Sequence, residues 1–167
     1  MNYKIDFNTG FYDNFEVLKE HKMFEQTAME YGETRLMDLR EDLNVLNKDL
    51  SLEIFKEMGE LGFLSTDVPE EFGGLALDKT TSCIIVDALT SGRNASILVT
   101  ASAHSGIGML PIIWYGNAEQ KAKYLPKMTS GEWMGCFGLT EPDHGSNPGG
   151  MVTNFKNMGD HYLLNGA

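Results

Sequence analysis

The chain has 167 residues, of which 42% are hydrophobic and 22% are charged, which is typical of a soluble globular domain and long enough for one sizeable core or for one core and part of another. Its net charge of −11 argues against a nucleic-acid partner and against binding to an anionic membrane surface. The two cysteines, Cys83 and Cys136, lack metal-ligand spacing, so we expect reduced, buried thiols, no metal site and a cytoplasmic location.

The first helix is predicted from about Glu20 to Leu39, where apolar residues recur at helical spacing. Residues 1–19 before it are weakly patterned, and we expect an irregular N-terminal extension. They hold neither the basic and apolar regions of a secretory signal nor the arginines of a mitochondrial transit peptide. We therefore expect no targeting segment.

A second helix is predicted from about Leu50 to Leu61, with Asp49 or Ser51 as its N-terminal cap. Gly62 follows the last apolar position and is expected to end the helix in the left-handed conformation. Residues 63–75 contain Pro, paired acids and a double Gly, which indicates a structured loop.

A third helix is predicted from Lys79 to Ser91, with Asp78 as its cap. Asn94 then begins an apolar helix, and the run Ile97–Tyr115 contains no Asp, Glu, Lys or Arg. Its Ser, Thr, His, Gly and Pro residues are too polar and too disruptive for a lipid-facing helix, so we predict a central core helix and no membrane span. Pro111 is expected to end or split it.

The last helix and the change to strands are predicted beyond residue 115. Asn117-Ala118-Glu119-Gln120 fits a capping box that begins a short helix, which Pro126 is expected to close. Near residue 131 the pattern changes from helical to strand-like, and the predicted strands are Trp133–Thr140, Met151–Phe155 and His161–Leu164. Because so few short strands do not make a stable domain, we expect the chain to be cut within one.

The segment from Gly135 to Gly150 combines residues that can hold a ligand. Gly138 and Gly145 let another group approach the backbone closely, while Thr140 and Ser146 offer hydroxyls. The N–H groups of such a loop can converge on an anion. A β-turn after an edge strand explains the same residues, and residue chemistry alone favours that simpler interpretation.

Four regions of the chain together resemble the acyl-CoA dehydrogenase family. The run Cys-Phe-Gly-Leu-Thr-Glu-Pro-Asp-His-Gly-Ser-Asn, residues 136–147, is similar to that family's flavin-binding signature. Three more regions match in the family's order: Leu61–Gly74, Tyr115–Pro126 and Tyr162–Gly166. They resemble the loop after its second long helix, the helix before its β-domain and the turn before its next flavin-contacting strand.

The resemblance implies an α+β fold. An all-α helical bundle domain over residues 20–130 would be followed by the beginning of an antiparallel β-barrel domain over residues 131–167, truncated in this chain. It also implies FAD as the cofactor, an acyl-CoA as the substrate, an electron-transfer flavoprotein or a similar acceptor as the partner, and a homotetramer.

The family's cofactor contacts carry over to six residues of this chain: Phe137, Gly138, Leu139, Thr140, Gly145 and Ser146. The backbone around Leu139 and the Thr140 side chain would bind the flavin's pyrimidine edge, and Phe137 would help to wall the site. Ser146 would contact the FAD pyrophosphate and lie near the substrate's pantetheine arm.

The family reaction removes the α-proton of an acyl-CoA and passes the β-hydride to flavin N5. The base is a carboxylate with a raised pKa from the family's last domain, so we expect no catalytic residue in these 167 residues and no activity from them alone. Two positions depart from the signature: Asn147 stands in place of the usual Asp, and His144 is bulkier than the usual small residue.

The sequence is compatible with more than one substrate and more than one chemistry for the whole protein. An ungapped comparison back from Pro111 places Leu98 where glutaryl-CoA dehydrogenases carry an arginine for the substrate carboxylate, and Arg93 is offset, so no dicarboxylate is implied. Acyl-CoA oxidases and flavin-dependent monooxygenases share the fold, and a non-catalytic binding or assembly protein is the alternative of another class.

His104 could line the acyl cavity, but a hydrogen-bonded core histidine is the favoured interpretation.

Overall fold

The structure, a computed structural model, describes residues 19–167, so the predicted extension lies outside the described residues apart from Lys19. The chain forms two compact units, which divide in sequence between Gly135 and Cys136. This division falls a few residues after the domain boundary predicted at residue 131.

The first unit is helical. Its α-helices among the described residues are α1 Lys19–Tyr31, α2 Lys48–Glu60, α3 Lys79–Leu89, α4 Ala95–Ala103, α5 Leu110–Tyr115 and α6 Ala118–Thr129. Ile54, Phe55 and Met58 on α2 and Ile85 and Leu89 on α3 are buried in a shared core, as their helical spacing predicts. The predicted helical bundle is confirmed.

Side chains cap three helices as predicted. Asp78 and Asn94 each accept a hydrogen bond from the backbone N–H three residues further on, at 2.8 and 3.2 Å respectively. Asn117 and Gln120 form the predicted capping box, because each side chain accepts the backbone N–H of the other residue. Gly62, after α2, has a φ of 78°, so the predicted left-handed end of that helix is also confirmed.

The predicted cap of α2 is wrong. Asn47, rather than Asp49 or Ser51, accepts the Leu50 N–H at 3.2 Å. The helix begins at Lys48, before its apolar stripe, and exposed first-turn residues give no periodic signal. Ser51 instead donates its hydroxyl to the Asn47 carbonyl at 2.8 Å.

Pro126 lies inside α6 rather than closing it, so this prediction is also wrong. A proline costs a helix one hydrogen bond. Leu125 and Met128 on either side are almost fully buried, however, and their burial offsets the loss. The Thr129 hydroxyl also donates to the Pro126 carbonyl at 3.0 Å.

α4 and α5 belong to one long helical segment, Ala95–Tyr115, interrupted by a π-helical turn at His104–Gly108. Pro111 stands in the first turn of α5, where it splits the segment as expected. The predicted central core helix is wrong, because Val99 is 68% exposed and Tyr115 84% exposed. Periodicity could not show which side is open, since apolar residues surround the helix on every side.

The same segment is long and apolar enough to cross a membrane by length and composition alone. Its most apolar window has a mean hydropathy of 1.5, and 22% of that window is buried within the described chain. Core helices of soluble proteins reach such values too. The expectation that this segment lies outside lipid stays a prediction.

The second unit contains an antiparallel hairpin, β1 Asn154–Asn157 paired with β2 Tyr162–Asn165. The predicted strand Trp133–Thr140 is not formed, because no strand among the described residues lies beside it to share its backbone hydrogen bonds. A helical unit followed by a short antiparallel sheet confirms the predicted α+β class.

The two cysteines are exposed free thiols, which corrects the expectation that they are buried. Cys83 points away from the core because its neighbours on α3, Ser82 and Ile84, are the buried ones. A small apolar residue on a helix has no periodic signal of its own that would place it on either face.

Gly131, directly after α6, provides a test of the core packing. Its φ is 73°, and a Cβ there would overlap the Phe55 carbonyl of α2. We expect Gly131→Ala to lower the free energy of unfolding by about 3 kcal/mol, through backbone strain and this clash. Urea unfolding measures the change.

Gly106→Ala is the control, because its Cβ position has no described atom within 4 Å apart from its chain neighbours and the backbone of its own helix. Alanine is also the better helix former, so we expect no loss of stability there. An equal loss in the two variants would show that contact with Phe55 is not the cause.

Candidate functional site

The segment predicted to bind the cofactor borders a cavity of about 390 Å³ in the second unit. Gly138, Leu139 and Thr140 line it, whereas Phe137, Gly145 and Ser146 do not. Its other lining residues are Glu141, Met151, Thr153, Leu164, Gly166 and Ala167. The structure therefore brings three of the six predicted cofactor residues to one cavity.

Residues 137–140 carry backbone groups without partners. Among the described residues, none of their N–H or C=O groups forms a hydrogen bond with another backbone group. The Thr140 hydroxyl has no hydrogen-bond partner among those residues either. Phe137 and Leu139 are 50% and 39% exposed. A run of free donors and acceptors can pair with the edge of a strand or of a planar heterocycle.

The two glycines of the signature leave space beside this run. A Cβ on Gly138 would meet nothing within 4 Å. A Cβ on Gly145 would meet the Thr140 methyl group at 3.9 Å, an ordinary contact distance. The packing of the loop itself thus leaves the surface over Gly138 and Thr140 open to another molecule.

Glu141 holds the loop closed and was not predicted to have a role. It is 6% exposed, and its carboxylate accepts the Val152 N–H at 2.8 Å and the Thr153 N–H at 2.7 Å. Hydrogen bonds from Thr153 and Val152 hold the pKa of Glu141 below its ordinary value. The partners lie eleven and twelve residues along the chain, so no local pattern reveals them.

The two residues that depart from the signature, His144 and Asn147, both lie beside Gly150. A Cβ on Gly150 would lie 2.7 Å from His144 Nδ1 and 2.9 Å from Asn147 Nδ2. The imidazole and the amide therefore occupy the space next to a residue without a side chain. The bulk of His144 is accommodated within the loop.

An apolar groove of about 580 Å³ runs along the exposed side of α4. Its lining has no charged residue and consists of Val86, Thr90, Leu98, Val99, Ser102, Ala103, Gly106 and Ile107. Leu98 lies in this groove, and Arg93 does not. The groove suits an apolar chain.

His104 faces inward, away from that groove. It is fully buried, and both of its ring nitrogens are hydrogen-bonded within the first unit. The favoured interpretation as a hydrogen-bonded core histidine is confirmed.

Glu141 provides a pH-dependent test of the loop. Because its pKa is lowered in the folded protein, its carboxylate contributes stability above the ordinary value of 4.5, and that contribution is lost as pH falls through the lowered pKa. We expect protection of the Val152 and Thr153 amides against hydrogen exchange to fall over this acid range. Glu141→Ala should remove the protection at neutral pH, and its persistence there would contradict the assignment.

Three comparisons identify what this arrangement is similar to. The model of the acyl-CoA dehydrogenase N-terminal domain matches residues 18–132. A probable acyl-CoA dehydrogenase of Bacillus subtilis is 42% identical over 149 residues, covering 88% of this chain and 25% of that protein. The human short-chain specific acyl-CoA dehydrogenase, a mitochondrial protein, is 34% identical over 156 residues, covering 93% of this chain and 37% of its own length.

Solved structures agree in fold. An acyl-CoA dehydrogenase from Bacillus anthracis complexed with FAD superposes with a TM-score of 0.85 at 40% identity, covering 90% of this chain and 26% of that one. The chain thus spans about a quarter to two fifths of the length of these relatives. With the domain model matching over most of its length, the chain belongs to the acyl-CoA dehydrogenase family.

Proposed function

We propose that this protein is an FAD-dependent acyl-CoA dehydrogenase, which removes the α-proton of an acyl-CoA thioester and transfers the β-hydride to flavin N5. The observation that carries the proposal is the run of backbone groups at residues 137–140 that have no partner in the described part of the chain and lie beside an open cavity. The FAD-bound relative from Bacillus anthracis, at 40% identity, supports the same cofactor.

Residues from both halves of the signature, 137–140 and 145–146, would hold FAD. The backbone around Leu139 and the Thr140 hydroxyl suit the donors and acceptors of the flavin's pyrimidine edge, because none of them has a partner among the described residues. Phe137 offers a half-exposed ring as a wall. Gly145 and Ser146, both exposed, are assigned to the pyrophosphate, with Ser146 also near the pantetheine arm. When bound, FAD would accept the hydride.

The groove on α4 is proposed to receive the acyl chain. Leu98, Val99, Ala103 and Ile107 give it an apolar wall, and Thr90 and Ser102 add hydroxyls but no charge. A second carboxylate on the substrate would lie there without a cation to pair with, at a large desolvation cost. An acyl chain with an apolar end is therefore favoured over a dicarboxylate.

The loop's own carboxylate does not fit the role of base. A base that removes an α-proton needs a raised pKa in a dry pocket. Glu141 has a lowered pKa, and each of its two carboxylate oxygens accepts a hydrogen bond from a backbone N–H group. We therefore propose that the base lies outside these 167 residues.

The partners and the oligomeric state are proposed from the family, and the cytoplasmic location from the two unpaired cysteines. We propose a homotetramer that acts in fatty acid metabolism in the cytoplasm and passes its electrons to an electron-transfer flavoprotein or a similar acceptor. Reoxidation by O₂, as in acyl-CoA oxidases, would be distinguished by whether hydrogen peroxide forms during turnover.

Flavin binding is tested on the complete gene product. We expect it to purify yellow and to bleach when an acyl-CoA is added anaerobically, whereas residues 1–167 alone should reduce no dye. Thr140→Val should weaken FAD binding by about tenfold through the loss of one hydrogen bond to the flavin, and Thr140→Ser, which keeps the hydroxyl, should bind nearly as tightly as the parent. A colourless protein that takes up no added FAD would refute the proposal.

The acyl groove is tested by introducing a charge. Val99→Glu should raise the Kd for butanoyl-CoA and octanoyl-CoA by about tenfold or more, because the carboxylate must be desolvated against the acyl chain. Met23→Glu is the matched control, since Met23 is an exposed apolar residue on α1 that does not line the groove. Equal effects of the two substitutions would place the acyl chain elsewhere.

A further inference from the structure

The imidazole of His104 connects three segments of the first unit. Its Nδ1 accepts the Gly135 N–H at 2.8 Å, and its Nε2 lies 3.0 Å from the Met128 carbonyl oxygen. A backbone N–H can only donate and a carbonyl can only accept, so the ring is neutral with its proton on Nε2. The Phe55 ring packs edge to face on it, with centroids 5.4 Å apart.

The backbone around this hydrogen bond is packed too closely for side chains. A Cβ on Gly135 would lie 2.7 Å from the Met128 methyl group and 3.3 Å from Gly108 Cα. A Cβ on Gly108 would lie 3.2 Å from Gly135 Cα. His104 and Gly108 are the first and last residues of the π-helical turn, so that turn presents to Gly135 both the hydrogen-bond acceptor and a residue without a side chain.

Gly135 is the last residue of the first unit, and the unpaired run begins shortly after it. Residues 137–140 have no hydrogen bonds to other described residues that could fix them. The hydrogen bond at Gly135 is therefore the nearest backbone restraint on the N-terminal side of that run.

We propose that His104 is a positioning residue for FAD: by accepting the Gly135 N–H, it fixes the peptide from which the flavin-binding run starts. This inference rests on the proposed function, because it assigns a consequence to the same loop. Loss of the hydrogen bond would leave the run less ordered before FAD binds, and the ordering cost would appear in the Kd.

A purely structural role for the ring predicts a different result. In that case each of its two hydrogen bonds matters only for stability, and FAD affinity does not depend on which one is kept.

Burial lowers the pKa of His104, and among the described residues no charged side chain contributes to the shift. Protonation of Nδ1 would remove the acceptor, so FAD affinity should fall as pH drops through that lowered pKa, below the ordinary value of 6.5.

Two substitutions separate the hydrogen bonds. His104→Asn places an amide oxygen near the position of Nδ1 and can keep the Gly135 bond, whereas His104→Gln reaches the position of Nε2 and can keep the Met128 bond. In the complete gene product, we expect His104→Gln to weaken FAD binding about tenfold and His104→Asn to weaken it less than about threefold. Urea unfolding should show similar losses of stability for both.

Hydrogen exchange of the Gly135 amide reports directly on the bond, which should be protected in the Asn variant and exchange faster in the Gln variant. Equal FAD affinities in the two variants, with that difference in exchange present, would overturn the inference while leaving the proposed function intact. Absence of FAD binding by the parent protein would instead overturn the proposed function and this inference with it.

The parent protein supplies a second measurement should either variant not fold. Its Kd for FAD should rise as pH falls through the pKa of His104, read by the ring's NMR signals in the same pH series. An FAD affinity that is flat across that titration would overturn the inference.

Discussion

Backbone N–H and C=O groups that are shut off from water must find hydrogen-bond partners, and this requirement governs both the helical unit and the candidate site. Asn and Asp side chains accept N–H groups where several helices begin. Where regular structure ends, His104 accepts the Gly135 N–H, and Glu141 accepts two N–H groups from the far end of its loop. Residues 137–140 lie between those two restraints along the chain, and their backbone groups have no partner within residues 19–167. A ligand-binding segment needs this combination of fixed ends and free hydrogen-bonding groups.

The parts of the fold that could be predicted are those governed by neighbours along the chain. Capping by Asp78, Asn94 and Asn117 depends on contacts three residues away, and all three were predictable. The position of Pro126 within a helix could not be predicted, because it depends on the burial of the residues around it, which helix propensity does not include. The strand predicted at Trp133–Thr140 failed for a related reason, since a strand exists only where another lies beside it.

The candidate site shows the same division between local and distant information. Gly138, Leu139 and Thr140 could be selected because the signature is a contiguous run, and the structure brings them to one cavity. Glu141 belongs to the same signature, yet the two hydrogen bonds through which it holds the loop come from N–H groups eleven and twelve residues away. His104 acts on a residue 31 positions further on. Neither pairing leaves a periodic or compositional trace in the sequence, so only the folded structure reveals them.

The apolar segment around α4 illustrates why composition alone does not determine environment. A buried core, a lipid bilayer and a ligand groove all select uncharged residues, and by length and hydropathy this segment satisfies each. The structure separates its sides: His104 points into the core, while Val99 and Ile107 line an open groove. His104 and Ile107 belong to the same π-helical turn. If the groove receives the acyl chain and His104 restrains the start of the flavin-binding run, one short turn serves both substrate and cofactor. A substitution that reshapes this turn should then alter both affinities together, and the effects of substitutions at Ile107 and His104 should not be additive.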